Sequence, residues 1–466
     1  MAHTAPRVSL AANPLLLSGI LLALLLMMSL WIGRAPLTIP LWGMAAAILF
    51  LATLLNSEAG LIILILSMLL SPEIPLGGAG GSGLEGTRSV VLRTEDLVLL
   101  LVGLAWVARM AIHKDLGAVR RTPINVALAA YVACCLISTL FGVGTARVSP
   151  LVGFCYVAKY VEYFIIFFMT VNYVRDEARL HRLLGAVLVT AGLIVAYAWW
   201  QMPSGVRPSA PFEGARGEPN TLGGYLVMVI CVGAAIAMTD PRRSWRRACG
   251  LLAVAAVPPL LATLSRSSWL ALAAALLTLL AFGEARRRLA AALILGVTLL
   301  LLLQPAAVER RVAQTFGGTA DDAVRVGRVR LDSSASARIS SWGEALTAFT
   351  RHPVLGWGIT GYGFLDAQYF RVLVELGVVG FAAFAGLIIA LARLFLSAWR
   401  TPGPPLRRAL GLGMGATLAG LLVHAIGANT FLLIRIMEPF WLLTALVAAT
   451  MAPDDQESLA VRRGPA

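Results

Sequence analysis

The chain predicts an all-α, polytopic helical membrane protein with about 12–14 transmembrane helices and one long external loop carrying short helices. Three observations predict it. Hydrophobic residues make up 59% of 466 positions and charged residues only 13%, against roughly 45–50% and 25% in soluble domains. Apolar runs of about 20 residues recur along the whole length. The short alternating segments of outer-membrane barrels are missing.

Read in order, the spans are approximately 15–32, 39–55, 59–71, 95–112, 124–141, 150–173, 182–201, 220–239, 248–264, 267–283, 289–304, 367–397, 409–427 and 430–450. The third is short for a hydrocarbon core of about 30 Å, which lowers the count to twelve or thirteen if it fails to cross. The first is too long for a signal-peptide core and lacks a small-residue cleavage site, so it stays as a helix. This divides the chain into an N-terminal membrane region, 1–304, a long loop, 305–366, C-terminal helices, 367–450, and a tail, 451–466. No repeat suggests the inverted halves of secondary transporters.

Orientation follows from basic residues. With the N-terminus inside, inner loops hold 19 Lys and Arg and short outer loops hold seven. The excess puts both termini in the cytoplasm and the long loop outside. The same accounting removes nucleic acid from the expected partners: the formal charge of +14 lies mostly in loops that orient the protein. The partners expected are membrane lipids and lipid-borne substrates. Basic charge comes as 36 arginines against Lys114 and Lys159, and arginine makes the forked contact to phosphate. All five cysteines sit in apolar spans, which suggests neither a disulfide framework nor a metal cluster.

Candidate functional residues gather on the outer side. Loop 202–219 carries Arg207 and Arg216 before a helix that Asn220 is placed to cap. The turn Leu264-Ser265-Arg266-Ser267-Ser268 puts Arg266 between two spans with almost no loop around it, so a partner is required. In the long loop, a polar stretch precedes an expected amphipathic helix, Ile339–Phe349, with Arg338 and Trp342. Then come Arg351-His352-Pro353, glycines at Gly356 and Gly358, and Asp366 at the mouth of a helix whose dipole suits a carboxylate. Asp366 is also suited to act as a general base, with His352 as the alternative. Tyr369, Arg371 and Glu375 follow within the next turns. Three spacings allow intrahelical ion pairs: Lys159 with Glu162, Arg371 with Glu375, and Arg435 with Glu438. His424, alone in an apolar helix, reads as a packing residue. Neither a metal nor an organic cofactor is called for: the outer loops hold no Asp-X-Asp, and no glycine-rich phosphate loop follows a strand.

Taken in order, R-P-S-A-P-F before P-N-T-L-G-G-Y-L, then T-L-S-R-S-S-W, R-I-S-S-W, H-P-V-L-G-W-G and D-A-Q-Y-F-R-V-L-V-E-L-G-V-V-G resemble the O-antigen ligase and polymerase family of bacterial envelope glycosyltransferases. The likeness covers about Arg207 to Phe381. It implies a site facing the periplasm at the bacterial inner membrane, an undecaprenyl diphosphate-linked oligosaccharide as donor, a glycan or glycolipid acceptor, and a chain-length regulator as a further candidate partner. It implies diphosphate binding by Arg207, which precedes Phe212 by five as in the family pattern, and by Arg266 in the Ser-Arg turn. Arg216, in an apparent insertion, and Arg338 are additional binding candidates. Ligase members carry histidine where this chain has Asp366 and asparagine where it has Ala367. The aspartate resembles polymerase and exopolysaccharide members, so a polymerase is the first reading and a ligase the second. A flippase or transporter is the rival of another class; it needs charges along a through-path, whereas the ionisable residues of interest here cluster toward one side.

Overall fold

The computed structural model describes residues 38–74, 92–112, 120–213, 217–283, 333–363 and 365–451, with isolated positions at 298, 325–326 and 329–330. The expected spans 15–32 and 289–304, Asp321 and Asp322, and the tail beyond Met451 lie outside the described residues.

Thirteen α-helices occupy the described residues: α1 (Thr38–Leu55), α2 (Ser57–Leu70), α3 (Thr94–Ile112), α4 (Asn125–Gly144), α5 (Pro150–Tyr173), α6 (Glu177–Gln201), α7 (Pro219–Thr239), α8 (Arg243–Ala262), α9 (Arg266–Phe282), α10 (Ser333–Arg351), α11 (Gln368–Arg400), α12 (Pro405–His424) and α13 (Ile434–Met451). Eight of them, α4 to α8 and α11 to α13, are long and apolar enough to cross a membrane. The pair α1–α2 turns on Asn56 alone, whose side chain accepts from Glu58 N at 3.0 Å. The 14 residues of α2 rise about 21 Å, short of the bilayer core, as its length predicts. Strand structure among the described residues is limited to two antiparallel pairings of two residues each, Glu73–Ile74 with Leu92–Arg93 and Arg325–Val326 with Val329–Arg330.

At the centre stands α7, 89% of its most apolar window buried, with α13 next at 78%. Without a strong hydrophobic drive between helices in lipid, close approach of backbones supplies the packing. Glycines make that approach possible. A Cβ at Gly233 would lie 2.9 Å from Cys249 O on α8, at Gly413 2.9 Å from Val232 Cα, and at Gly420 2.8 Å from Ala271 O on α9. The outer helices keep lipid-facing apolar side chains such as Val126 and Leu151, 82% and 74% exposed.

One helix is broken. In α11, Gly377 takes φ 67° and ψ −169°, a conformation that glycine alone adopts readily. The loop 353–358 fills the break and replaces the missing helical bonds. Trp357 N donates to Val374 O and Gly358 N to Glu375 O, both at 2.9 Å, while Val378 N donates to Pro353 O at 2.8 Å. The Ser138 hydroxyl on α4 shares its proton between Leu355 O at 2.6 Å and Glu375 O at 2.7 Å. Sequence patterning gives no sign of this break, because Leu376 to Phe381 reads as a continuous apolar run.

Two further expectations are corrected. The amphipathic helix expected at 339–349 extends to Ser333–Arg351. Arg435 does not pair with Glu438. It donates to Pro211 O at 2.6 Å and Ser71 O at 3.3 Å and faces Glu213 at 3.7 Å, while neither carboxyl oxygen of Glu438 has a hydrogen-bond partner. Tertiary partners at the helix end outcompete the intrahelical one. The other two spacings do pair: Lys159 lies 3.7 Å from Glu162, although its shorter contact, 2.9 Å, is to Asp96 of α3, and Arg371 lies 3.1 Å from Glu375.

Candidate active site

The site grows from the turn between α8 and α9. Pro258 and Pro259 occur in the last turn of α8, and Leu264 then takes φ 52°, turning the chain. Ser265 caps α9 by accepting from Ser268 N at 3.3 Å, which places Arg266 at the first helical position. Beneath the turn a buried polar chain runs from Ser265 through Ser268 (2.8 Å) to His424 Nε2 (3.2 Å), and from His424 Nδ1 to Thr430 (2.8 Å). His424 is thus the satisfied packing histidine its setting predicts, and it locks the arginine turn to the end of α12.

Arg207 joins the same turn from loop 202–218. Gln201 brackets Ser209 with two hydrogen bonds, to Ser209 O at 2.9 Å and from Ser209 N at 3.1 Å. Between them the chain projects Arg207, whose Nε donates to Thr263 O at 2.7 Å. The base of the loop is tied by Glu213, which accepts from Ala210 N and Glu218 N at 3.2 and 2.8 Å; burial pushes its carboxyl up to about 7, against the pull of Arg435. Asn220 does not cap α7: Glu218 holds the cap position, Pro219 begins the helix, and the Glu218 side chain accepts from Thr221 Oγ1 at 2.9 Å. A proline at the first position fixes the cap two residues earlier than the asparagine suggests. Arg216 lies outside the described residues.

Arg338 arrives from α10, which packs on the first half of α11 through Ala345, Ala348 and Val374, with Trp342 stacked on Phe370 at 5.0 Å. Its Nη2 donates to Asp366 Oδ2 at 3.3 Å. A Cβ at Gly427 would lie 3.9 Å from Arg338 Nη1 and 3.6 Å from Ser267 Cβ, so Arg338 stands beside the arginine turn. Asp366 itself is held by its neighbours: Asn429 Nδ2 donates to Leu365 O at 2.8 Å, Gln368 N to Ala425 O at 3.1 Å, and Phe431 N to Gln368 Oε1 at 3.2 Å. Asp366 is not the cap of α11, since Ala367 takes that position. Partial burial holds the Asp366 carboxyl above its ordinary value, Arg338 and Arg371 draw it back, and the nearby Glu218 charge raises it further.

His352 sits apart, edge-on to Trp357 at 4.8 Å, and burial together with Arg147 and Arg351 lowers its proton affinity. No described contact joins it to Asp366. Tyr369 donates its hydroxyl to Leu422 O at 2.6 Å. The buried pair of Arg371 and Glu375 turns inward, with Glu375 accepting from Thr360 N at 3.2 Å and Arg371 5.9 Å from the Tyr156 ring centroid. Arg338 is therefore paired with Asp366 beside the turn that carries Arg266 and accepts from Arg207, while His352, Tyr369, Arg371 and Glu375 lie on the elements around them. Glu218 and Glu213 were not expected. Their only sequence signal is two carboxylates flanking a Gly-Ala-Arg-Gly stretch before Pro-Asn.

One guanidinium, that of Arg338, pairs with a carboxylate of raised proton affinity, beside a turn that carries Arg266 and binds Arg207; such an arrangement can hold an anion and accept a proton. No curated protein matches the chain. Residues 251–385 match a family model described as O-Antigen ligase; that segment contains the arginine turn, Arg338, His352 and Asp366. The match spans 135 of the 466 residues, so this segment is similar to that family, and it lies among apolar helices long enough to cross a membrane.

Proposed function

We propose that the chain moves an oligosaccharide from an undecaprenyl diphosphate carrier onto a glycan acceptor, as a surface-polysaccharide or O-antigen polymerase at the periplasmic face of the bacterial inner membrane. The observation that carries the reading is the pairing of Arg338 with Asp366 beside the Arg266 turn to which Arg207 is bonded. The arginines hold the diphosphate by charge-assisted contacts. Asp366 takes the proton of the acceptor hydroxyl, the hydroxyl oxygen bonds to the anomeric carbon, and the bond from that carbon to phosphate breaks with its electron pair leaving on the diphosphate. Guanidinium charge offsets the charge developing there, which is where electrostatic catalysis contributes most, so no metal enters the step. Attack opposite the leaving group inverts the anomeric centre. Arg371 and Glu375 hold loop 353–360 in the break of α11 and so position Asp366.

The acceptor separates polymerase from ligase. Purified protein is given lipid-linked oligosaccharide alone or with a lipid A core acceptor, and the glycan products are sized. Longer lipid-linked chains without added acceptor support the polymerase. Transfer that occurs only to lipid A core shows a ligase.

A further inference from the structure

A second charged concavity lies at the opposite end of the bundle, and α5 fixes its place. Near the start of α5, a Cβ at Gly153 would lie 3.6 Å from Ile359 O in the loop beside the candidate site. At its far end Met169, Asn172 and Tyr173 line a cavity of about 500 Å³. Gly153 and Tyr173 lie 20 residues apart on α5, about 30 Å along its axis, the thickness of a bilayer core.

The lining has two characters. Arg109, Arg175 and Arg179 face the cavity, and no acidic residue lines it among the described residues. Each guanidinium is anchored by only part of its donor set. Arg109 Nη1 donates to Leu54 O and Leu55 O at 2.9 and 3.0 Å, and Arg175 Nε to Asn172 O at 3.4 Å. Arg179 lies over the Tyr173 ring, donates to Tyr173 O at 3.1 Å and pairs with Asp176 at 3.0 Å. Nη2 of Arg109 and both Nη groups of Arg175 remain directed to no protein acceptor among the described residues. Glu58, next to the lining residue Ser57, is engaged by Arg182 and Tyr173 and also feels the charge of Arg179. Behind the arginines, Trp106, Met110 and Met169 form an apolar floor between α3 and α5.

A free anion has no use for the floor, and a neutral apolar ligand has none for three cations. We infer that the cavity binds an anionic phospholipid of the leaflet away from the candidate site, its phosphate on Arg109, Arg175 and Arg179 and an acyl chain along Trp106 and Met169. Basic pockets between transmembrane helices suit such headgroups, and the volume suits a headgroup with the first part of one chain.

The test uses the full chain in nanodiscs of phosphatidylcholine with a minor fraction of phosphatidylglycerol, counting retained anionic lipid by native mass spectrometry. The double variant Arg109→Gln/Arg175→Gln is expected to weaken phosphatidylglycerol retention about tenfold or more, the loss of at least one charge-assisted contact. Met169→Trp, which fills the floor and leaves every arginine, is expected to lose the lipid as well. The control Arg243→Gln/Arg247→Gln removes two exposed arginines outside the cavity lining and should retain it. Equal retention in all proteins overturns the inference, as does equal loss in the control, which would mean diffuse surface charge. If glycerol 3-phosphate binds the Met169→Trp protein as tightly as it binds the parent and displaces the lipid, the ligand is a free phosphate and the lipid assignment fails.

Discussion

Asp366 lies between opposing charges, and its chemistry follows from their balance. Partial burial and Glu218 raise its proton affinity, while Arg338, 3.3 Å away, lowers it. As a base it works only when deprotonated, so activity should rise with pH through a value above the ordinary 3.8 for aspartate. Removing the favourable cation with Arg338→Gln should move the acid limb of kcat/KM to higher pH. Glu218→Gln removes a repulsion and should move it lower. Parallel shifts, or no shift in either variant, would separate Asp366 from the proton step. The anchors carry a second prediction. Arg266→Ala and Arg207→Ala should abolish transfer in protein that still folds and inserts, and Arg266→Lys should rescue poorly because a point charge loses the forked geometry; near-normal turnover in both alanine variants would assign these arginines to structure. Arg266 was legible in the sequence because it stands in a tight turn between apolar spans, and Arg207 because its loop resembles the family pattern. Glu218 was not, because its influence depends on a loop folding back over Asp366. Arg435 was misread for the same reason: spacing within a helix reveals Glu438, whereas its partner Glu213 lies 222 positions earlier in the chain.

Among the elements, the broken helix α11 decides how the site is held. Gly377 has both a left-handed φ and no room, since a Cβ there would lie 2.2 Å from Val354 O. Gly377→Ala should therefore destabilise the protein by at least about 1–3 kcal/mol from strain alone and release the loop that carries His352 to Gly358. Gly386, farther along the same helix and exposed, has open space around it; Gly386→Ala should be neutral or stabilise by up to about 1 kcal/mol. Thermal unfolding in detergent compares the two, and equal midpoints would contradict the role given to the break. Long helices such as α5 and α7 were legible almost to the residue, because apolar length and flanking prolines set their ends. The break in α11 and the length of α10 were not. Both depend on one element filling another: loop 353–358 supplies the bonds that α11 lacks, and α10 gains its order by packing Trp342 on Phe370.

The whole molecule places its two charged regions at opposite ends of α5, so orientation in the membrane assigns each to a face. The excess of basic residues in alternate loops predicts that reporter fusions at Ser244 act in the cytoplasm and those at Asp321 in the periplasm; the reverse result would put the candidate site on the wrong side for an outward-facing transferase. Fold class was legible here from composition alone, since apolar runs of bilayer length admit few other architectures. The central claim is that arginines bind a lipid diphosphate while Asp366 performs the proton transfer. Its most direct measurement sets donor binding beside single-turnover release of undecaprenyl diphosphate in proteoliposomes, for the parent, Asp366→Asn, His352→Ala and Arg266→Ala. Asp366→Asn is predicted to bind donor as the parent does and to release it about 10²-fold more slowly or worse, Arg266→Ala to lose binding, and His352→Ala to keep both. An active Asp366→Asn beside a dead His352→Ala would contradict the account and move the base to His352.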